Sequence, residues 1–153
     1  MPAYIKIDTK SVDDLVRRLG SAQLAQRAQI AFTREVDKRI GRYMSFRTGV
    51  MSGKAKRMIG PTQILVDTPY ARYQDYGNVM VNAKTGKGPR IIPGVGPRWP
   101  KGATLKATGR PLQYDTSKNA KAGPFWEKAL MENEKDEICH SVADELLRAI
   151  RGE

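Results

Sequence analysis

The sequence predicts an α+β fold in which a long N-terminal helix and a C-terminal helix pack on a small antiparallel sheet. Apolar residues recur every three or four positions in residues 21–44 and again from residue 124 onward, as on one face of a helix. Between these helices, short apolar runs on either side of residues 60–62 predict a hairpin of two strands. Residues 78–123 are rich in glycine and proline, which predicts a long arm or large hairpin that projects from the core.

Length and composition favour one domain over residues 1–153, with residues 78–123 as an inserted arm. The 153 residues are 40% apolar, which is enough for a modest core. The formal net charge of +11 lets the protein approach polyanions or acidic protein surfaces. The single cysteine, Cys139, excludes an internal disulfide framework. We expect no membrane span and no signal peptide, because the chain has no long apolar run.

Two elements are predicted ahead of the long helix. Residues 4–8 alternate between apolar and polar side chains, as in a short strand or an ordered arm. Ser11 suits the cap of a short helix that ends at Gly20. Ser21 suits the cap of the long helix, whose apolar face consists of Leu24, Ala28, Ala31, Phe32, Val36, Ile40 and Tyr43 or Met44.

A short aromatic element follows the predicted hairpin. Tyr70, Tyr73 and Tyr76 are three residues apart, so on a helix they lie on roughly one face. Pro69 suits the first helical position, and Gly77 suits the left-handed residue that ends the helix. Such a face either completes a core or meets a partner, and we predict packing. The predicted packing anchors are Tyr70, Tyr73, Tyr76, Phe125 and Trp126.

The arm is strongly basic. Its cations are Lys84, Lys87, Arg90, Arg98, Lys101, Lys106, Arg110, Lys118 and Lys121, against a single acid, Asp115. Residues 112–115 predict one further strand, which we expect to pair with the earlier hairpin. A segment this polar cannot bury enough apolar surface to fold alone, so we expect it to order against a partner.

The last helix is predicted to begin at Pro124 and to continue its apolar stripe to Ile150. Its acids are predicted to lie mostly on the solvated face; they are Glu132, Glu134, Asp136, Glu137, Asp144 and Glu145. A basic arm and an acidic helix suit head-to-tail assembly, with the arm of one copy on the helix of the next. The alternative is two solvated faces that never meet.

No pattern in the sequence predicts catalysis, a metal site or a cofactor. His140, the one histidine, adjoins Cys139, and adjacent helical residues do not face each other. A metal site needs further ligands at workable spacing, and a Cys–His nucleophile needs an orienting third group. The glycine pairs at residues 86–88 and 94–96 do not match a phosphate-binding loop. We therefore predict that the protein is not an enzyme.

The alternative function is that of a small basic nucleic-acid-binding protein. Cations interleaved with glycine could track phosphates, and Trp99 or a tyrosine could stack on bases. The sequence has no zinc finger, RNP aromatic signature or GXXG clamp. A third hypothesis, a toxin-like RNA-cleaving domain, would need a general base, and the chain offers one histidine for that role.

Three motifs resemble those of the head–tail joining, or neck, proteins of long-tailed bacteriophages, a family often labelled minor capsid protein. Residues 48–51 are similar to its Thr-Gly-x-Leu element, with Met51 in place of the leucine. Residues 69–77 resemble its Tyr-Ala-x-Tyr…Gly segment, and residues 123–130 resemble the Pro-Phe…Ala-Leu start of its closing helix. The arm is longer than in compact members and is similar to that of a subgroup in phages of Gram-positive hosts.

The resemblance implies a structural virion protein, made in the host cytoplasm, that assembles into a homo-oligomeric ring in the phage neck. The ring would lie between the portal-side connector and the tail terminator, with DNA in its lumen bound without sequence specificity. The resemblance implies no catalysis, and it gives the tyrosine element the role of anchoring the base of the arm. The predicted contacts of the arm with a neighbouring subunit are Arg90, Arg98, Trp99, Lys101 and Lys106.

Overall fold

The computed structural model of the chain describes residues 2–8, 17, 20–45, 50–68 and 70–152. The fold is α+β, as the sequence predicts, with two long helices packed against small antiparallel sheets. The elements in chain order are β1 (Ala3–Lys6), α1 (Ala22–Ile40), a 3₁₀ turn (Gly41–Tyr43), a π-helical turn (Val50–Lys54), β2 (Lys56–Gly60), β3 (Gln63–Val66), α2 (Ala71–Tyr76), β4 (Asn78–Asn82), β5 (Arg90–Ile92), β6 (Gly96–Arg98), β7 (Leu105–Pro111) and α3 (Trp126–Arg151).

Some predictions fall on residues outside these ranges. They are most of the short helix predicted between residues 11 and 20, the Thr-Gly pair at residues 48–49, and Pro69 as the first residue of α2. The described helices include none that is long and apolar enough to cross a lipid bilayer.

Helix α1 begins where its cap residue predicts. The Ser21 hydroxyl accepts a hydrogen bond from the Leu24 amide at 3.4 Å, which satisfies one of the free N–H groups of the first turn. The helix ends at Ile40, earlier than the apolar periodicity indicated. Tyr43, in the 3₁₀ turn, and Met44, the extended residue directly after it, are still buried in the core.

The first sheet has three antiparallel strands in the order β1-β3-β2. The predicted hairpin of β2 and β3 is confirmed, with Gly60 opposite Gln63 across the turn. On the face toward the helices, Ile64 lies opposite Ile5 on one side and Met58 on the other. The Thr33 hydroxyl donates to the Pro61 carbonyl at 2.6 Å, so the hairpin turn is fastened to α1.

Helix α3 covers the other side of α1 and closes the core. Its buried positions are spaced by four residues throughout; they are Trp126, Leu130, Glu134, Ile138, Val142 and Leu146. The predicted apolar stripe is wrong at its end. Ile150 is exposed, because a four-residue repeat drifts around a helix of 3.6 residues per turn and leaves the core by the last turn. Most of the acids of the helix are exposed, as predicted, but Glu134 is buried.

The arm folds as a two-stranded ribbon of β4 and β7 that carries a second small hairpin, β5 and β6. The strand predicted at residues 112–115 is wrong, since the last strand is β7 and it pairs with β4, not with the β2–β3 hairpin. The reason is that β4, which follows α2 directly, already supplies the antiparallel partner. After Pro111 the chain turns away, and the Leu112 amide donates to the Gly77 carbonyl at 2.9 Å.

Candidate assembly surfaces

Helix α2 joins the base of the arm to the start of α3. The Phe125 amide donates to the Asp75 carbonyl at 2.6 Å, and the Trp126 amide donates to the Asp75 Oδ1 at 3.0 Å. On the arm side, the Tyr114 hydroxyl donates to the Gln74 carbonyl. The base of the arm and the first turn of α3 are therefore held by the same turn of α2.

Gly77 ends α2 as the sequence predicts, and its lack of a side chain permits the close approach of α3. Its φ of 71° lies in the left-handed region, and its amide donates to the Tyr73 carbonyl at 2.9 Å. A Cβ at this position would lie 2.8 Å from the Cβ of Pro124, a distance that real side chains do not show. Any side chain at residue 77 would push the start of α3 away from the arm.

Burial shifts two pKa values at this junction. Burial raises the pKa of the Asp75 carboxyl above its ordinary value, and the Trp126 N–H offsets only part of that rise. Burial and the nearby Asp75 charge raise the pKa of Tyr114 to about 12, so its hydroxyl stays protonated and available as a donor. Asp75 is thus a positioning residue whose carboxylate caps the first turn of α3.

The five predicted packing anchors differ in burial. Trp126 is fully buried in the core, Tyr73 is half-buried, and Tyr70, Tyr76 and Phe125 are exposed. Phe125 has a φ of 52° and directs its ring outward at the cap of α3. The tyrosines at 70 and 76 therefore do not close the core of the single chain, because α2 is one and a half turns long and buries only Ala71. The base of the arm is anchored mainly by backbone groups of α2 instead.

Two open clefts flank α2 and share Arg72 and Tyr76. The Arg72 guanidinium lies 5.5 Å from the centre of the Tyr76 ring, in cation–π geometry. Tyr4 lines one cleft, and Met80 of the arm lines the other. The exposed tyrosines thus belong to a surface and not to the interior.

A buried carboxylate links α1, the 3₁₀ turn and α3. One oxygen of Glu134 lies 2.9 Å from a guanidinium nitrogen of Arg39, and the other accepts from the Tyr43 hydroxyl at 2.9 Å. Arg42 at 3.5 Å and Lys121 at 3.6 Å add two more positive charges. Lys121 belongs to the arm, so this cluster also fixes the end of the arm to the core.

This environment shifts the pKa values of both buried partners. Burial acts to raise the pKa of Glu134, but the hydrogen bonds from Arg39 and Tyr43 outweigh burial and hold the pKa below its ordinary value. Burial and the hydrogen bond to Glu134 raise the pKa of Tyr43 to about 12. At neutral pH a charged carboxylate therefore accepts from a protonated hydroxyl.

The end of the arm, residues 119–123, forms a return segment on the 3₁₀ turn. The Asn119 side-chain amide donates to the Gly41 carbonyl at 3.1 Å and to the Met44 carbonyl at 2.8 Å. The Gly123 amide donates to the Tyr43 carbonyl at 3.1 Å. These bonds give donors to carbonyl groups at the end of α1, where the regular helical pattern stops.

The five predicted arm contacts lie along the arm at different distances from its end. Arg90 and Arg98 face each other across β5 and β6, and both are exposed. Trp99 follows β6 and is half-buried, Lys101 lies in an exposed turn, and Lys106 lies on β7 opposite Val81. The structure thus brings Arg90 and Arg98 together, and the contact of all five with a neighbouring subunit stays a prediction.

The tip of the arm, residues 90–98, also exposes aliphatic side chains. Ile91 is 71% exposed, and Ile92 and Val95 are exposed as well. These three aliphatic side chains lie within five residues of the chain and do not contribute to the core. Exposed apolar clusters of this kind mark interaction sites. The tip therefore combines apolar surface with two arginines.

The described residues hold no group of three or more histidine, cysteine or acidic side chains placed to bind a metal ion. Burial raises the pKa of the Cys139 thiol, which disfavours a reactive thiolate. The ring of His140 is exposed, with its Nδ1 2.7 Å from the Asp136 carbonyl of its own helix.

Sequence reasoning missed three side chains that fasten the arm or the start of α3, namely Glu134, Asp75 and Asn119. Glu134 carried a usable signal, because it stands in the four-residue register of the apolar stripe of α3. Asp75 and Asn119 carried none, since their partners are backbone groups that are distant in the sequence.

The chain also matches the model of a known family. The family model described as Minor capsid protein matches residues 3–123, which is most of the chain. No curated protein and no solved structure matches the chain significantly. The matched region ends ahead of α3, so it includes the arm and its base but not the closing helix.

Proposed function

The chain belongs to the minor capsid protein family, and from that premise we propose that it forms a ring in the neck of a long-tailed phage. Membership makes it a structural protein of the phage virion. In this proposal the ring lies between the portal-side connector and the tail terminator. DNA passes through its lumen, where contacts with phosphates would not depend on sequence.

The arm is the observation that carries the proposal. Its base is fastened to the core at α2 and by the return segment, while its tip is exposed and apolar. A firmly held base and an exposed apolar tip suit a subunit that reaches the next subunit of a ring. Such a contact joins different surfaces of the two copies, and it generates a ring when the rotation between copies closes on itself.

Electron cryo-microscopy of the purified particle, focused on the neck, tests the proposal directly. We expect a closed ring of this chain with the arm of each subunit on its neighbour. Absence of the chain from every neck ring would refute the assignment, and a ring whose arms contact only their own subunits would refute the role of the arm.

A variant that lacks residues 84–103 tests the arm without disturbing its base. Ala83 and Thr104 are already joined by a backbone hydrogen bond of 2.8 Å, so a two-residue Asn-Gly turn can replace the deleted segment. The β4–β7 ribbon, the return segment and the Glu134 cluster remain. We expect a folded monomer that is not incorporated into particles, and normal incorporation would contradict the proposal.

Binding to nucleic acid is the second candidate function, favoured by the exposure of the arm cations. The two functions differ in how they respond to salt concentration. A protein that neutralises six to ten phosphates loses about 10³–10⁵ in affinity between roughly 50 and 200 mM salt. A ring held by apolar contacts is expected to survive that change, so the salt dependence of duplex binding and of ring assembly can be compared on the same preparation.

A further inference from the structure

We infer that the tip of the arm docks on the outward face of α3 in a second copy of this chain. This inference rests on the proposed ring and names the surface that receives the arm. The receiving surface, here called the outer stripe, lies away from the core side of α3. It consists of Glu132, Asp136, His140, Ala143 and Leu147.

The tip lacks a counter-charge of its own. Arg90 and Arg98 are directly opposite each other in the β5–β6 ladder, and like charges in that position destabilise a hairpin. Within the described part of the chain, neither guanidinium lies within 4.0 Å of a carboxylate. An acidic partner would compensate the repulsion between the two arginines and would orient the tip.

The outer stripe offers acidic and apolar groups in sequence along one face. Glu132 and Asp136 are exposed and one helical turn apart, and Leu147 is exposed about three turns beyond Asp136. The side chain of Glu132 is 64% exposed, and within the described residues its ion pair is a long one, 3.9 Å to Lys128, so it remains available to a stronger partner. A helix usually needs one apolar face for its own core, and the exposed Leu147 is outside that face.

The dimensions of the two surfaces are similar. Arg90 and Arg98 are about 4.5–5.5 Å apart across the strands, and Glu132 and Asp136 are about 6 Å apart along the helix, so both guanidinium groups can reach the acidic end of the outer stripe. From the arginine pair to Val95 the hairpin extends about 10 Å, which is three residues at roughly 3.3 Å each. From Asp136 to Leu147 the helix rises about 16 Å at 1.5 Å per residue. The long arginine side chains extend toward the acids and span the difference, so Val95 can contact Leu147.

The direction of docking follows from the charges at the end of α3. Arg148 and Arg151 are exposed in its last turn, where they repel the arginines of the tip. The tip therefore places its cations toward the start of α3 and its aliphatic end toward Leu147. The exposed aliphatic residues also favour a protein partner over DNA, whose phosphates would leave them in water.

A charge exchange tests the pairing in assembled particles. The full chain is supplied to a phage that lacks it, and particles with joined tails are counted by electron microscopy. We expect R90E/R98E alone and E132R/D136R alone each to reduce joined particles by roughly tenfold or more, since close interfacial charge pairs couple strongly. The variant that carries all four substitutions is expected to restore the number of joined particles. K84E/K87E changes the same charge in another exposed part of the arm, and is expected to have little effect.

Cross-linking between copies tests the contact itself. In a C139S background, V95C and L147C chains are assembled together and oxidised, and a disulfide joining one of each is the expected product. I59C replaces L147C as the control, because Ile59 is also exposed but lies on β2.

The outcomes separate this inference from the proposed ring. If the chain is absent from the neck, the proposed function fails first. If a ring forms but the exchange restores nothing and V95C does not join L147C, the inference is overturned and the ring stands. If R90E/R98E instead abolishes salt-sensitive binding to duplex DNA and leaves particle assembly intact, the tip binds DNA and the inference is overturned.

Discussion

Replacing Glu134 by alanine tests whether the buried carboxylate holds the two long helices together. The side chain is 5% exposed and lies between α1 and α3. The substitution removes the acceptor of the Tyr43 hydroxyl. Because Tyr43 is itself buried, water does not readily replace that acceptor. It also removes one of the carboxylates around Arg39.

The expected loss of stability can be worked from these contacts. A buried hydroxyl left without its acceptor costs about 1–3 kcal/mol. Breaking a fully buried ion pair costs about 3–5 kcal/mol, but Arg39 is 18% exposed and keeps Glu137 at 2.8 Å, so its share is about 1 kcal/mol. The free energy of unfolding should fall by about 2–4 kcal/mol. For a chain of this size that lowers Tm by about 5–15 °C.

Thermal unfolding followed by circular dichroism measures the effect against a matched control. Glu132→Ala removes an acid from the same helix, but this side chain is exposed and weakly paired, so its loss should stay within about 0.5 kcal/mol. A double-mutant cycle with Tyr43→Phe should return a coupling of about 1 kcal/mol. If Glu134→Ala lowers Tm no more than Glu132→Ala, the buried cluster does not stabilise the fold and the reasoning is refuted.

Three further predictions concern the base of the arm and pH. Gly77→Ala combines left-handed strain with the 2.8 Å approach to Pro124, so it should cost about 2–4 kcal/mol by chemical denaturation. Gly109→Ala, at a φ of 74° with open space around it, should cost only the strain, about 1 kcal/mol, and equal losses would contradict the close contact. Asn119→Ala should cost about 1–2 kcal/mol through two lost hydrogen bonds and increase hydrogen exchange at Gly123; unchanged exchange would argue against a fastened return segment. Folding lowers the pKa of Glu134 below its ordinary value of 4.5, so its contribution to stability is present above that pH and is lost as the pH falls through the folded pKa. Tm measured from about pH 6 to pH 3 should therefore fall less steeply in Glu134→Gln than in the parent. Parallel curves would contradict a stabilising charge on Glu134.

The fold class and most elements could be predicted from local patterns. Ser21 caps α1, Gly77 ends α2, and the β2–β3 hairpin turns where glycine and proline interrupt two apolar runs. Each of these depends on residues close together in the chain, where backbone preferences and periodicity act directly.

The predictions that failed each depended on which distant element became the neighbour. Residues 112–115 have the composition of a strand, but β4 pairs with β7, so the last strand of the arm lies earlier in the chain. Tyr70 and Tyr76 had the spacing of a packed face, but α2 is too short to bury more than Ala71. Local sequence does not specify which face of an element will be covered, because that depends on the arrangement of the other elements.

By itself the sequence determined the α+β class, the two long helices and the basic character of the arm, because periodicity and charge are properties of neighbouring residues. Only the tertiary structure decided that Glu134 is buried among four partners, that Asp75 holds the first turn of α3, and that Arg90 faces Arg98 across the tip. The physical reason is that hydrogen bonds and ion pairs between distant residues form only where folding brings their atoms within about 3–4 Å, and no pattern along the chain encodes that distance.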